Sequence, residues 1–280
     1  MSLVAEFEIP DNGWEWLITA EFLIYLLVFL VVPLILLTPY LLGPLLIRLT
    51  LKHQASFQVK AFDPDESPPP DGAKEFFDDA AEALRPCGFE IADHLIVSEL
   101  MEGMIIVFAA FKNPADNDAA MAAVFLGTIN GTSVRQRYIE FSSELIDGTE
   151  ISTNNSKEDC TPVPLAWKRT VQLDTERDAE DLYHLHQRAV DAWATTAKRS
   201  VDGVTAWSEE IRRGMLREFD GFVEAGYYYL DESGDCYRPT WKGAFLMTWQ
   251  QLWPMGALRR IGRRRRAEAL RDQESPYARR

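Results

Sequence analysis

From Phe22 to Ile47 the chain carries no charged residue, and Leu, Ile, Val and Phe dominate. As a helix these 26 residues rise about 39 Å against about 30 Å of bilayer hydrocarbon. The pattern predicts one membrane crossing with tilt or overhang and leaves no room for two. Pro33, Pro39 and Pro44 are expected to kink the helix or end its regular part. Trp14, Trp16 and Tyr40 suit the membrane–water interface.

Beyond the apolar run the period changes to two. Residues 56–63 alternate apolar and polar, as a half-buried strand does. Pro64 and Pro68–Pro70 break the chain, and Asp71 is placed to cap a helix. Phe76, Phe77, Ala80, Ala81 and Leu84 form one face of that helix, and Gly88 is placed to end it. Strand-like segments at 89–101 and 104–111 flank Glu102-Gly103, and those at 120–129 and 132–146 flank Asn130-Gly131. Asp147-Gly148 then turns into 149–153. Asn-Gly and Asp-Gly between apolar segments signal hairpins, because both central residues of a type I′ turn need positive φ. Ile139, Phe141 and Leu145 point one way and Glu140, Ser142 and Glu144 the other, and Leu165, Trp167, Val171 and Leu173 repeat the alternation. The expectation is an antiparallel meander with one face covered by helix.

From Thr175 the period becomes helical. Thr175 with Asp178 has the spacing of a capping box, opening a helix to about residue 198. A second helix over 204–226 carries Trp207, Ile211, Met215, Phe219, Phe222 and Val223 at helical spacing. The two are expected to pair as a hairpin. No internal repeat is visible.

The formal charge of −14 argues against nucleic acid as the main partner, since phosphate binding needs a basic surface. The basic residues are unevenly placed. None precedes Arg48, while Arg48, Lys52 and His53 follow the apolar run, and the positive-inside rule then puts residues 50–280 in the cytoplasm. A cleaved leader would have a basic start and a shorter apolar stretch; here Glu6, Glu8, Asp11 and Glu15 precede a long one. The expected location is the cell (plasma or inner) membrane, single-pass, with the N-terminus outside. Cys87, Cys160 and Cys236 are an odd set without close spacing, which suggests neither a disulfide framework nor a zinc site. Asn130-Gly131-Thr132 and Asn154-Asn155-Ser156 match the glycosylation triplet, which matters only for a lumenal domain.

Catalytic chemistry finds little support. His184 and His186 are two apart on an expected helix, so their side chains diverge by about 200° and share no metal; a solvated or partly packed pair is the expectation. Glu140 and Glu144 lie about 13 Å apart along one strand face, too far for paired glycosidase carboxylates, and an exposed polar face is expected. No phosphate-binding Gly-rich loop and no nucleophile motif stand out. The sequence supplies no catalytic, cofactor-binding or metal residue.

Phe222-Val-Glu-Ala-Gly-Tyr-Tyr-Tyr-Leu-Asp231, Glu232-Ser-Gly-Asp235 and Cys236-Tyr-Arg-Pro-Thr-Trp-Lys-Gly-Ala244 together resemble the wing of winged-helix domains. There a helix ends in Gly, a short hairpin follows, and Thr-x-Lys-Gly opens the next helix. The resemblance implies DNA binding or protein contact. The preceding region departs from that pattern, with two long helices in place of a compact helix-turn-helix and no basic recognition face.

The last segment combines Trp241, Phe245, Trp249 and Leu252 on one helical face, Trp253 beside them and Pro254 placed to open a second helix. Leu258 and Ile261 then sit among Arg259, Arg260, Arg263, Arg264, Arg265 and Arg266. Two readings follow: an interfacial helix and polybasic patch on an anionic leaflet, or core tryptophans with solvated arginines. The membrane-contact set is therefore Trp241, Phe245, Trp249 and the six arginines.

The fold class expected is α+β. A short extracytoplasmic N-terminus (1–15) leads to the anchor (16–53), then an α+β domain with an antiparallel sheet (54–174). A helical pair with a wing-like hairpin (175–240) and an amphipathic helix with a basic tail (241–280) complete the chain. The function expected is a non-enzymatic cytoplasmic domain tethered to the bilayer that binds another protein or organises a membrane complex, without cofactor. A deep pocket of convergent polar groups would favour a membrane-anchored enzyme instead. A basic face beside residues 225–244 would favour a membrane-bound regulator.

Overall fold

The computed structural model describes residues 13–70, 72–129, 132–157 and 164–272 of an α+β protein. It opens on helix α1 (Gly13–Thr50), 38 residues long. Within Glu21–Thr50 an 18-residue window reaches a mean hydropathy of 2.7, so the helix is long and apolar enough to cross a membrane. Phe22, Phe29 and Leu36 are exposed, as are most of their neighbours. Of the two outcomes expected of the prolines, a kink or an end, the second does not occur: Pro33, Pro39 and Pro44 all lie inside the helix. Each removes one intrahelical bond, and the remaining ladder carries the helix through.

Among the described residues seven strands form the main sheet in sequence order: β2 (Gln58–Ala61), β3 (Glu90–Ser98), β4 (Met104–Asn113), β5 (Asp118–Ile129), β6 (Thr132–Glu144), β7 (Glu150–Asn154) and β8 (Lys168–Gln172). The antiparallel meander holds through β7. Asn130-Gly131 lies outside the described residues, but Ile129 pairs with Thr132, so the connection is the expected two residues long. The meander fails at its last step, where β8 runs parallel to β7. The alternation expected around it fails too: Leu165 and Trp167 pack on one side of the sheet, Val171 and Leu173 on the other. The strand begins only at Lys168, so the residues before it do not share its parity.

Both faces of the sheet are covered, not one. Helices α2 (Ala73–Leu84), α3 (Ala179–Trp193) and the C-terminal part of α6 (Met255–Asp272) close one face around Phe77, Phe111, Phe141 and Leu182. Asp71, the expected cap of α2, lies outside the described residues, and Gly72 holds the N-cap position. Asp178 alone caps α3, accepting from the amides of Glu180 and Asp181; no capping box with Thr175 is used. Helix α4 (Trp207–Glu224) lies on the opposite face with Phe57, Val97 and Phe108. The expected α3–α4 hairpin is therefore replaced by two helices in separate cores. Each has an apolar stripe, and a two-faced sheet offers each a surface of its own.

A second sheet of three strands follows, ordered β1 (His53–Gln54), β10 (Cys236–Pro239), β9 (Tyr228–Leu230). Helix α5 (Trp241–Gln251) leads from it to α6. The helix–hairpin–helix expected from the wing-like stretch is present. Thr240 caps α5, its Oγ1 accepting from the amide of Gly243 at 3.1 Å, and Lys242 donates to the carbonyl of Ala225 at the end of α4. Gly243 is required by close approach, since a Cβ there would stand 2.1 Å from the carbonyl oxygen of Tyr227. Thr-x-Lys-Gly thus acts as a clamp between hairpin and helices.

Candidate functional site

The C-terminal aromatic stripe lies against helix α1. Helix α5 packs along the last turns of α1, and the contact is close because residue 43 is glycine: a Cβ there would stand 2.5 Å from Cγ2 of Thr248. Tyr40 Oη donates to the carbonyl of Trp253, and Trp249 Nε1 reaches the carbonyl of Tyr40 at 3.5 Å. Trp253 therefore stands level with Tyr40, which is about 10 Å up the helix from Ile47, the end of the uncharged stretch. Trp241, Trp249 and Trp253 are exposed, and Phe245 lies between the first two, 6.2 and 5.4 Å from their rings. The stripe is not in the core. Met255, Leu258 and Ile261 extend the exposed apolar surface along α6.

Pro254 caps α6 rather than opening it, accepting through its carbonyl from the amide of Leu258 at 3.0 Å. The basic set divides. Arg259 and Arg263 donate to Gln250 and Gln172 at 2.6 and 2.7 Å, whereas Arg260, Arg264, Arg265 and Arg266 are exposed. The far end of α6 is held by Ala267 and Leu270 in the core and by Arg188, which donates to the carbonyls of Leu270 and Arg271.

The wing-like hairpin is acidic at its turn, while Arg48 lies over the ring of Tyr229 and Lys242 over that of Tyr227. Its turn presents Asp231, Glu232 and Asp235, and Arg238 lies 3.7 Å from the Asp231 carboxylate. Asp231 accepts from Ser233 Oγ and from the amides of Asp235 and Cys236, and the Ser233 bond leads in holding its pKa below the usual carboxylate value.

The sequence missed the principal site. Between α4 and the sheet lies a cavity of about 590 Å³. Val97, Ile106, Phe108, Trp207 and Met215 wall one half, and the other half is charged. There Lys168 Nζ meets three carboxylates: Glu140 at 3.7 Å, Glu150 at 2.9 Å and Glu218 in closer contact still. The Glu140 and Lys168 side chains are each 9% exposed. The Glu140 face of β6, expected to be solvated, is thus covered, because α4 folds over it. Burial pushes the Glu140 carboxyl up to about 7 against the pull of Lys168, with Glu150 and Glu218 adding repulsion. Burial also works against charge on Lys168, but its three carboxylates outweigh it and hold the ammonium well above the usual lysine range. Nearer the rim, Glu144 pairs with Arg199 and lies 3.8 and 3.6 Å from Arg213 and Arg217, while Glu210 bonds Arg199 at 2.9 Å. Glu140 and Glu144 therefore serve separate ion clusters, in line with their separation along the strand.

The opposite face of the sheet holds a sealed polar network. Helix α3 turns His184 to solvent and His186 into the core, so the pair diverges as expected, but His186 is wholly buried rather than solvated. Ser143 Oγ donates to Asp118 and lies 2.9 Å from His186 Nε2, whose other ring nitrogen lies 3.1 Å from Thr153 Oγ1. Tyr183 Oη donates to Asp118 at 2.9 Å and Lys198 Nζ at 2.6 Å. Serine, histidine and aspartate are together, but Ser143, Asp118 and His186 have no exposure, so no substrate reaches the hydroxyl. This network holds α3 to the sheet. Asn154 and Ser156 are buried as well, which closes that glycosylation triplet to modification.

Comparison with protein-family models, with curated proteins and with solved structures finds no match.

Proposed function

We propose that this is a single-pass membrane protein whose cytoplasmic domain lies against the inner leaflet and acts there as a binding module. The observation that carries this is the packing of α5 along α1, with exposed tryptophans level with residues of the apolar span. A soluble surface seldom gathers Trp241, Trp249, Trp253, Leu258 and Ile261 beside an uncharged helical stretch. In a bilayer the same residues take the interfacial positions aromatic rings favour, and Arg260, Arg264, Arg265 and Arg266 face anionic headgroups. Another protein bound at the membrane remains the expected partner.

Lipid contact is tested on the full chain in nanodiscs containing bromine-labelled acyl chains, which quench nearby indoles. Replacing Trp249 and Trp253 with Phe should remove a distinct share of the quenched emission, most with bromine near the headgroups. Identical quenching in parent and variant would mean that α5 does not touch lipid.

Orientation is tested separately. Cys236 is buried and the Cys87 thiol is pushed up to about 11, mainly by burial, so neither is a good reporter for maleimide. Gly203 is exposed with nothing near its Cβ position. Gly203→Cys should resist an impermeant maleimide in intact cells and react after permeabilisation; labelling in intact cells would reverse the assignment.

A second reading, a membrane-anchored enzyme, is favoured by Glu140, a carboxyl titrating near 7 on the wall of a cavity, the range of a general acid or base. The fate of a bound ligand separates the two. Recovery unchanged supports a binding module, and conversion dependent on Glu140 supports the enzyme.

A further inference from the structure

We propose that the cavity beneath α4 binds an amphipathic organic monocation, with its apolar body against β3–β5 and α4 and its cationic group between Glu140, Glu150 and Glu218. This goes beyond the membrane-docking reading and does not depend on it. Three features of the wall define the ligand.

The first is shape and polarity. At about 590 Å³ the space matches pockets for small organic ligands. Ile211 and Met215 on α4 and Ile106 and Phe108 on β4 give a hydrocarbon body its contacts. His53 closes this half, its ring 5.0 Å from Phe219 and 5.7 Å from Tyr228, with Nδ1 buried and free of any hydrogen-bond partner.

The second is the charge balance of the inner cluster. Three carboxylates share one ammonium there, so with all groups ionised the cluster is two charges short of cation. Burial first, and then repulsion from Glu150 and Glu218, raises the titration of Glu140 against the pull of Lys168, so the carboxyl holds a proton where a second cation would fit. An incoming organic cation takes the proton's place.

The third is what the rim does. Arg199, Arg213 and Arg217 are 39%, 58% and 37% exposed, and Glu144 and Glu210 engage them. Water screens this outer group, so it tolerates the ligand without attracting an anion as strongly as the inner cluster attracts a cation.

The experiment uses the full chain in nanodiscs and three probes of similar size: phenylbutylamine, phenylbutanol and phenylpentanoate. Binding is read by calorimetry against empty nanodiscs. The amine should bind about tenfold or more tighter than the alcohol, and the carboxylate most weakly. Glu140→Gln should weaken the amine about tenfold while leaving the alcohol within about twofold. Gly214→Leu adds a side chain at a helical glycine on the cavity wall with nothing near its Cβ position, so it fills the space without disturbing the core. It should abolish binding of all three probes. Equal affinity for amine and alcohol, tightest binding of the carboxylate, an unchanged amine affinity in Glu140→Gln, or full binding in Gly214→Leu would each overturn the proposal.

Discussion

Lys168→Met should cost about 3–5 kcal/mol of stability near neutral pH, because it leaves the buried Glu140 carboxylate and its two neighbours without the ammonium they share. For a domain of this size that is a fall of roughly 10 °C in Tm, measured by near-UV circular dichroism in nanodiscs. The loss should be smaller near pH 5, where Glu140 keeps its proton. The sign follows from its titration, raised from 4.5 to about 7 by burial first. The folded protein holds the proton more tightly than the unfolded chain. The stability this group contributes is full below about 4.5 and lost as pH rises through about 7. Its full extent is on the order of 3 kcal/mol. Glu140→Gln should therefore gain stability over the parent as pH rises through that window, and the double variant should recover much of what Lys168→Met loses. A Lys168→Met protein as stable as the parent near pH 8 would show that the carboxylates are solvated and that α4 does not close over them.

The hairpin of β9 and β10 was legible because its determinants are local. A helix end, a Thr cap and a glycine forced by the Tyr227 carbonyl lie within about twenty residues of one another, so the chain announces the turn where it makes it. The alternation along β6 was legible for the same reason, since parity is a property of neighbours. What covers each parity was not. Helices α3 and α4 have similar apolar spacing, and nothing in either says which face of the sheet it will take. An antiparallel pair between them satisfied the pattern equally well. The polar residues of β6 consequently read as solvated, and the cavity that α4 makes over them was invisible. Its charged end draws Glu140, Lys168 and Glu218 from three elements, a placement that only the topology creates. The buried His186 escaped notice similarly. Helical spacing separated it from His184, but only the fold put Ser143 and Asp118 within reach. The parallel β8 was lost because an alternating run gives a strand its faces but not its direction.

Asp118→Ala should be about as costly as Lys168→Met, on the other face of the sheet. Asp118 has no exposure and accepts from three groups, Ser143 Oγ, Tyr183 Oη and Lys198 Nζ. Truncation leaves two buried hydroxyls and a mostly covered ammonium without their common acceptor. Breaking such a pair from one side costs about 3–5 kcal/mol. Asp118→Asn, which keeps the shape and two acceptor lone pairs, should cost less. The variants also separate this network from the cavity by the sign of their pH dependence. Burial lowers His186 to about 4 from 6.5 even though Asp118 pulls it upward. A lowered histidine binds fewer protons in the folded state than in the unfolded chain, so its contribution is present above about 6.5 and lost as pH falls toward 4. That slope is opposite to the one Glu140 imposes, and the two partly cancel in the parent. Without the Asp118 charge, protonating His186 is harder still, so Asp118→Ala should lose stability more steeply than the parent as pH falls through about 4, where the parent's folded His186 takes up its proton and the variant's does not. His186→Gln should remove that steepening when combined with Asp118→Ala. Parallel stability curves for Asp118→Ala and the parent as pH falls through about 4 would show that Asp118 does not act on His186, and that the network holds α3 through Tyr183 and Lys198 alone.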